Sequence, residues 1–389
     1  MSEPIQVAGH TLRLLCRGEE YFPRLVAAIN GATRSVYLET YIFANDGSGR
    51  MVVDALRQAA ERGVRVHLLL DGFGSAELAK AWVEEMADSG VEVLYFRPQI
   101  SWLTLRRQRL RRLHRKQALV DGRIAFVGGI NIIDDNSDDV RFPPRLDYAL
   151  EVEGEVVERI HISMRRLWLL VRWSSFRIRR DHEKLRLRYP APTQDKVSFL
   201  FRDNLRHRYD IEDAYLKAIA GARQEIIIAN AYFLPGRRFR HALLNAARRG
   251  VRVVLMLQGR TDHPMVRYAT LALYDELLGA GVEIHEYHST YMHAKVAVVD
   301  NYWSTVGSSN IDPLSMWLLR EGNVMVHDAA FAAALRASLE QEMEHGARLI
   351  RHSAWIRKIF LARLLPRITY AFMRLMIGVV GYSSDHDSV

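Results

Sequence analysis

The sequence predicts an α/β protein built from two similar halves, and three observations carry that prediction. Residues 24–133 repeat in order and type over 215–312, strands alternate with helices of about a dozen residues, and glycine closes each helix before a β-branched strand opens. The first half reads as a helix Leu25–Gly31, a strand Val36–Phe43, a helix Met51–Arg62 and a strand Gly63–Leu70. The second reads Tyr215–Ala220, Glu225–Phe233, Arg240–Arg249 and Gly250–Leu257 in the same order. A further amphipathic helix follows in each, Ala76–Ser89 and Val266–Ala280, closed by Gly90-Val-Glu-Val and Gly281-Val-Glu-Ile. This alternation argues for a mostly parallel sheet covered by helices. The chain divides into 1–195, which carries the first copy, 196–350, which carries the second, and a basic amphipathic tail, 351–389.

A chain of 389 residues that is 49% hydrophobic and 25% charged has the composition of a folded protein, which excludes disordered and low-complexity classes. Its single cysteine, Cys16, excludes a disulfide framework and a Cys-rich zinc site. The net charge is +9, and 47 of the 54 basic residues are arginine, so a phosphate-rich partner is expected, either nucleic acid or an anionic bilayer. Met1–Gly18 has no apolar run of signal-peptide length, and no stretch of ~18 residues is free of charge, so membrane contact is expected to be peripheral. The halves differ in one place: 24 positions separate Gly90 from His114, but 12 separate Gly281 from His293. The inserted region, Pro98–Lys116, interleaves Arg106, Arg107, Arg109, Arg111, Arg112, Arg115 and Lys116 with Ile100, Trp102, Leu103, Leu105, Leu110 and Leu113, which suits the boundary of an anionic membrane. Residues 164–188 and 363–376 mix basic and apolar side chains in the same way, with Pro366 weakening the second as a continuous helix.

Chemistry is concentrated in two matching segments, His114-Arg-Lys116-Gln-Ala-Leu-Val-Asp121 and His293-Ala-Lys295-Val-Ala-Val-Val-Asp300. One chance match of this pattern is expected about 0.015 times in a chain of this composition, so chance does not account for two. On a strand, His and Lys two apart share a face and can look into a cleft together. Asp121-Gly122 and Asp300-Asn301 read as two-residue hairpin turns that would set His114 opposite Gly129 and His293 opposite Ser308. Asn131 and Asn310 then lie close by, each 17 residues after its histidine. These types suit phosphoryl transfer without a metal or cofactor: a neutral imidazole is a nucleophile, lysine is a compact cation for phosphate oxygens, and an amide donates to developing charge. Displacement at phosphorus needs a nucleophile and an acid, and two copies supply both. Asp147, 33 residues after His114, and Glu321, 28 after His293, are expected to hold the histidine of their own half by one ring nitrogen. Asp121 and Asp300 have the opposite parity from their histidines and open the turns, which suits supports of the motif better than proton carriers.

Together with Gly128-Gly-Ile-Asn131 and Gly307-Ser-Ser-Asn310-Ile-Asp-Pro-Leu-Ser315, these segments are similar to the doubled HKD motif of the phospholipase D superfamily, over about residues 10–330. Within the superfamily the chain resembles the bacterial cardiolipin synthases. The resemblance implies two α/β/α halves related by a pseudo-twofold axis, with both motifs at one central cleft. It also implies a phosphatidyl-histidine intermediate, formed on phosphatidylglycerol and passed to a second phosphatidylglycerol to give cardiolipin. The implied catalytic set is His114, Lys116, Asp121, His293, Lys295 and Asp300, with Asn131, Asn310, Ser308, Asp147 and Glu321 binding or orienting the phosphate. His114 is taken as nucleophile and His293 as acid and base, although the symmetry of the motifs does not decide it. Gly129 departs from the family pattern, in which Ser often follows the first Gly, so that half lacks one hydroxyl contact. The implied partner is an anionic phospholipid membrane containing phosphatidylglycerol and cardiolipin, met peripherally at the cytoplasmic face of the bacterial cell membrane. No nucleic acid is expected, although a nuclease, a hydrolase or transphosphatidylase using another alcohol, and a silent membrane-binding protein are competing readings.

Overall fold

The computed structural model describes residues 3–98, 111–134, 145–174, 196–203, 206–260, 263–312, 315, 318–356 and 365–373. Two sheets organise them. The first runs β1 (Ile5–Val7), β2 (His10–Cys16), β9 (Tyr148–Glu153), β8 (Ile124–Gly128), β7 (Lys116–Val120), β3 (Ser35–Thr40), β4 (Arg65–Asp71), β5 (Glu92–Phe96). The second runs β10 (Val197–Arg202), β16 (Leu319–His327), β15 (Trp303–Gly307), β14 (Lys295–Val299), β11 (Glu225–Asn230), β12 (Arg252–Gln258), β13 (Glu283–Tyr287), β17 (Ala347–Leu349). The order β9-β8-β7-β3-β4-β5 in one sheet matches β16-β15-β14-β11-β12-β13 in the other, which is the internal repeat in three dimensions.

The expectation of mostly parallel sheets is corrected. Among the described residues, parallel strand pairing within each half is confined to β3, β4 and β5 and to β11, β12 and β13. These strands are joined by crossovers through α2 (Gly47–Glu61) and α3 (Lys80–Asp88), or through α6 (Arg237–Arg248), α7 (Pro264–Leu271) and α8 (Tyr274–Gly279). A helical crossover returns the chain in the same direction, whereas the motif strands are joined by tight turns and must run antiparallel. The single helix expected over Val266–Ala280 is two, α7 and α8. The glycines expected to end helices, Gly63, Gly90, Gly250 and Gly281, all have positive φ between 85° and 94°, the conformation a helix stop needs and that side chains resist.

Both faces of the motif strands are buried. Val296 and Val298 enter a core shared by the two sheets, with Leu119, Val127, Leu150, Phe199 and Val306, while Ala297 and Val299 enter a separate core beneath the helices of the second half. This two-sided burial explains the unbroken apolar run Val296–Val299. The shared core also fixes the two motifs relative to each other. Most of the inserted basic region lies outside the described residues, as do 175–188.

Candidate active site

Each motif enters its sheet along the last strand of the opposite half. β6 (Arg112–Leu113) pairs in parallel with the start of β16, Arg112 with Leu319 and Leu113 with Arg320, and the His114 N–H donates to the Arg320 carbonyl at 3.0 Å. In the other half Met292 bridges Leu146 in parallel, and the His293 N–H donates to the Leu146 carbonyl at 2.7 Å. Continuing either register by one residue sets Glu321 beside His114 and Asp147 beside His293. The contacts follow: His114 Nδ1 lies 2.9 Å from Glu321 Oε1 and 3.2 Å from Oε2, and His293 Nδ1 lies 2.6 Å from Asp147 Oδ2. The expectation that each carboxylate serves its own half is therefore corrected, because parallel pairing between the halves carries each one across.

A carboxylate only accepts, so each imidazole must donate through Nδ1, which leaves the Nε2 lone pair for chemistry. Both rings line a single cavity of about 320 Å³, with Tyr41, Asn131, Arg145, Tyr232, Asn310 and Asp312 among its other walls. Tyr41 and Tyr232 cross the two imidazoles edge-on, at centroid distances of 5.2 and 6.3 Å. Asn131 accepts from the Ile42 N–H through Oδ1 at 3.1 Å, so what it can offer a ligand is its amide N–H pair.

The other predicted residues fall in different places. Lys116 and Lys295 are buried and do not line the cavity; each ammonium donates to the carbonyl of its own histidine, for Lys116 at 2.7 Å. Sheet pairing begins at the lysine, while the histidine two residues earlier projects past the sheet end, and this separates a pair that shares strand parity. Burial pushes Lys116 down to about 7. The carboxylates of Asp121 and Asp300, part of the motif, stand in the turns and hold backbone, the place of supports that their parity suggests. Asp121 accepts from the N–H groups of Thr33, Arg34 and Ser35, and Asp300 from those of Arg223, Gln224 and Glu225. Each sits at the far end of a five-residue strand from its motif lysine, about 16 Å away.

The turns are two consecutive left-handed residues, Asp121-Gly122 and Asp300-Asn301, as expected. One more residue in each, Arg123 or Tyr302, stands outside the ladder, so Val120 pairs with Ile124 and Val299 with Trp303. The register is one step from the expected one, as a bulge requires. Ser308 still reaches the site by donating to Glu321 Oε2 at 2.5 Å, so its hydroxyl steadies the carboxylate that holds His114. Gly129 has no such hydroxyl, and a Cβ there would lie 2.2 Å from Asp147 Oδ1. Asp147 occupies the room that a serine would need.

Burial lowers His114, opposed by the Glu321 charge, and burial with the Lys295, Arg145 and Lys116 charges holds His293 well below the usual histidine range. Burial also pushes Asp147 up to about 6, against the pull of Lys295. A raised carboxyl pKa means that the charged acceptor of His293 is lost as pH falls through about 6, well above the ordinary carboxylate range. The kcat/KM for phosphodiester turnover is therefore expected to decline on the acid side from about pH 6. A pH–rate profile flat through that region would contradict the role given to Asp147.

Arg145, Tyr41 and His263 line the cavity and were not singled out from the sequence, while Asp312 and Ser315 line it from within the motif stretch that carries the resemblance, where they were given no role. Tyr41 had a usable signal, since it and Tyr232 follow equivalent strands of the repeat. The repeat gave none for Asp312, because Ile133 stands at the matching place in the first half.

Comparison with known proteins gives the family of the chain. The family described as cardiolipin synthase, PLD-like domain, matches residues 25–142 and 215–343. Cardiolipin synthase B of Escherichia coli K12 is 38% identical over 97% of this chain and 91% of its own length. A probable cardiolipin synthase of Bacillus subtilis is 30% identical over 95% of this chain and 72% of its own. Among solved structures, phosphatidylserine synthase of Haemophilus influenzae superposes with a TM-score of 0.69 at 13% identity, covering 97% of this chain and 96% of that one, which shows a common fold.

Proposed function

The chain belongs to the cardiolipin synthase family of phospholipase D-like proteins, and on that premise we propose that it is a phosphatidyltransferase that joins two phosphatidylglycerols into cardiolipin and releases glycerol. His114 Nε2 attacks the phosphorus of the first phosphatidylglycerol, and the bond from phosphorus to the headgroup oxygen breaks. His293 donates its Nε2 proton to the departing glycerol. The phosphatidyl group then rests on His114. A glycerol hydroxyl of the second lipid gives its proton to His293 and attacks phosphorus, the bond to His114 breaks, and both histidines return to their starting forms. The phosphodiester anion raises the pKa of the imidazoles around it, so His293 can carry its proton once substrate is present, although burial and the neighbouring cations hold it low. Arg145 adds a positive charge to the wall that meets the phosphate, and Asn131 adds amide donors. Lys116 and Lys295 act on the anion through the field they place beneath it.

One observation carries this reading: two imidazoles from different halves line one cavity, each held through Nδ1 by a carboxylate. Incubation with phosphatidylglycerol vesicles in EDTA tests it. Cardiolipin and glycerol are expected in equal amounts; phosphatidic acid in their place would make water the acceptor and replace transfer by hydrolysis.

The membrane surface belongs to the same proposal. No helix among the described residues is long and apolar enough to cross a membrane. Residues 365–373 form a helix with Pro366 in its first turn, where proline is tolerated. Tyr370 and Met373 pack on the second half, and Met373 also lines the cavity, while Leu365, Ile368 and Phe372 are 52%, 57% and 48% exposed along one stripe. Met265 and Tyr268 are exposed on α7, whose Val266 lines the cavity too. This apolar rim suits a protein resting on the cytoplasmic face of the bacterial membrane and drawing lipid directly into the site. Replacing Leu365, Ile368 and Phe372 together by serine is expected to reduce flotation with phosphatidylglycerol vesicles at least about tenfold. Undiminished flotation would remove the helix from the account. Removal of everything after His352 is a poorer test, because Trp355 is buried and donates to Asp275 at 2.7 Å. The two-unit division at 195/196 is kept as part of the proposal, with the active site shared between the units.

A further inference from the structure

The two walls of the cavity differ in kind. On the side of the first half stand Tyr41, Ile42 and Asn131; on the side of the second stand Asn310, Asp312 and Ser315. Asp312 lies two residues after Asn310, and the residue two after Asn131 is Ile133. At this place in the repeat the second half carries a carboxylate that lines the cavity where the first half has an aliphatic side chain, just as Arg145 of the first half lines it where the second has Leu319.

That carboxylate is out of place if the cavity serves only a phosphodiester. Asp312 is 8% exposed, and its Oδ1 accepts from the Ser315 N–H at 3.0 Å, which fixes its direction. Beside it the Ser315 hydroxyl, 1% exposed, and Asn310 Oδ1, 3% exposed, are buried and have no hydrogen-bond partner among the described residues. A buried polar atom left unpaired is costly, and on a cavity wall a ligand can pair it. Arg202 sits behind the wall with its guanidinium donating to the carbonyls of Ser315 and Leu319, which holds this part of the cavity in shape. The Arg202 charge acts on Asp312 from behind, so the wall discriminates by its acceptors: a carboxylate offers a phosphate oxygen no donor, whereas an uncharged hydroxyl donates to it in a charge-assisted bond.

We propose that Asp312, Ser315 and Asn310 form a subsite for the free hydroxyls of a glycerol headgroup. The inference rests on the transferase reading above and adds the part of the substrate that the polar wall selects. Asp312 accepts one hydroxyl, and Ser315 with Asn310 takes the other. Because displacement at phosphorus is in line, the departing glycerol and the attacking glycerol occupy the same side, away from His114. One subsite therefore serves both half-reactions, holding the two free hydroxyls of the departing glycerol and, of the acceptor headgroup, the one hydroxyl that neither attacks nor carries phosphate, and it stands in the half that contributes His293. A simple alcohol forfeits these bonds and leaves the buried groups unpaired, which is how a site built for hydroxyls discriminates.

An internal competition tests this without depending on how much enzyme is folded. Full-length enzyme on phosphatidylglycerol vesicles is offered deuterated glycerol, propan-1-ol and ethanolamine together, and the labelled phosphatidyl products are quantified by mass spectrometry. The wild-type enzyme is expected to favour glycerol. Asp312→Leu is expected to lower the glycerol-to-propanol product ratio about tenfold or more, Ser315→Ala to lower it several-fold, and Asp312→Asn to restore part of the loss. Ratios unchanged in Ser315→Ala and in whichever Asp312 variants remain active overturn the subsite. So does an Asp312→Leu enzyme that loses ethanolamine instead of glycerol, since the wall would then read a cation. A wild-type enzyme that transfers to no alcohol overturns the transferase reading itself, an outcome distinct from unchanged ratios.

Discussion

Alanine in place of His114 is expected to lower phosphatidyl transfer by at least about 10⁴-fold with every donor, whereas His293→Ala is expected to lose about 10²–10⁴-fold with phosphatidylglycerol and to recover the first half-reaction, though not turnover, with an activated donor. The asymmetry follows from what each imidazole does. A missing nucleophile has no substitute in the cavity, but a missing acid matters only when the leaving group is a poor one, as the glycerol alkoxide is. A phosphatidyl ester of 4-nitrophenol needs no proton to depart. With that donor His293→Ala should release one rapid equivalent of nitrophenol and then stall, because the base that activates the second alcohol is also gone. Acid quenching at the plateau should recover the phosphatidyl group bound to protein. If the activated donor instead rescues His114→Ala, the two roles are exchanged. Cardiolipin formation that persists in either variant with phosphatidylglycerol would contradict a two-histidine mechanism altogether.

What could be read from the sequence was local. The two-residue spacing of His and Lys, the left-handed pair at each turn and the glycines after the helices are all set within a few residues, and each is found in the structure. The repeat added the doubled motif and thus the pairing of nucleophile with acid. Features that depend on how distant strands meet were not legible. Asp147 and Glu321 stand in equivalent places downstream of equivalent motifs, and nothing in their spacing distinguishes a carboxylate that serves its own half from one that serves the other. Parallel pairing of Arg112–Leu113 with Leu319–Arg320 settles it. The lysines share the strand parity of the histidines and so look like cavity residues; their burial follows from where the sheet begins, which parity does not encode. Arg123 and Tyr302 gave no sign of the extra residue in each turn, because neither side chain has a strong preference for a bulge.

The crossed carboxylates make the second large expectation, and it separates the structural arrangement from the one that spacing suggests. Glu321→Gln and Asp147→Asn should each cost about 10²–10⁴-fold with phosphatidylglycerol, since an amide can hold the ring in the wrong tautomer and no longer offsets a developing imidazolium. Their responses to the leaving group should differ. Glu321 holds the nucleophile, His114, so the loss in Glu321→Gln should persist with the activated donor. Asp147 holds the acid, His293, so the loss in Asp147→Asn should largely disappear in the first turnover with that donor. Ser308→Ala should follow Glu321→Gln at smaller amplitude, about tenfold, because the Ser308 hydroxyl donates to the same carboxylate. Pre-steady-state nitrophenol release reads all three on one scale. The reverse pattern, with Asp147→Asn insensitive to the leaving group and Glu321→Gln relieved by it, would mean that each half keeps its own carboxylate during turnover, and that the pairing of β6 with β16 is not the arrangement in which the enzyme reacts.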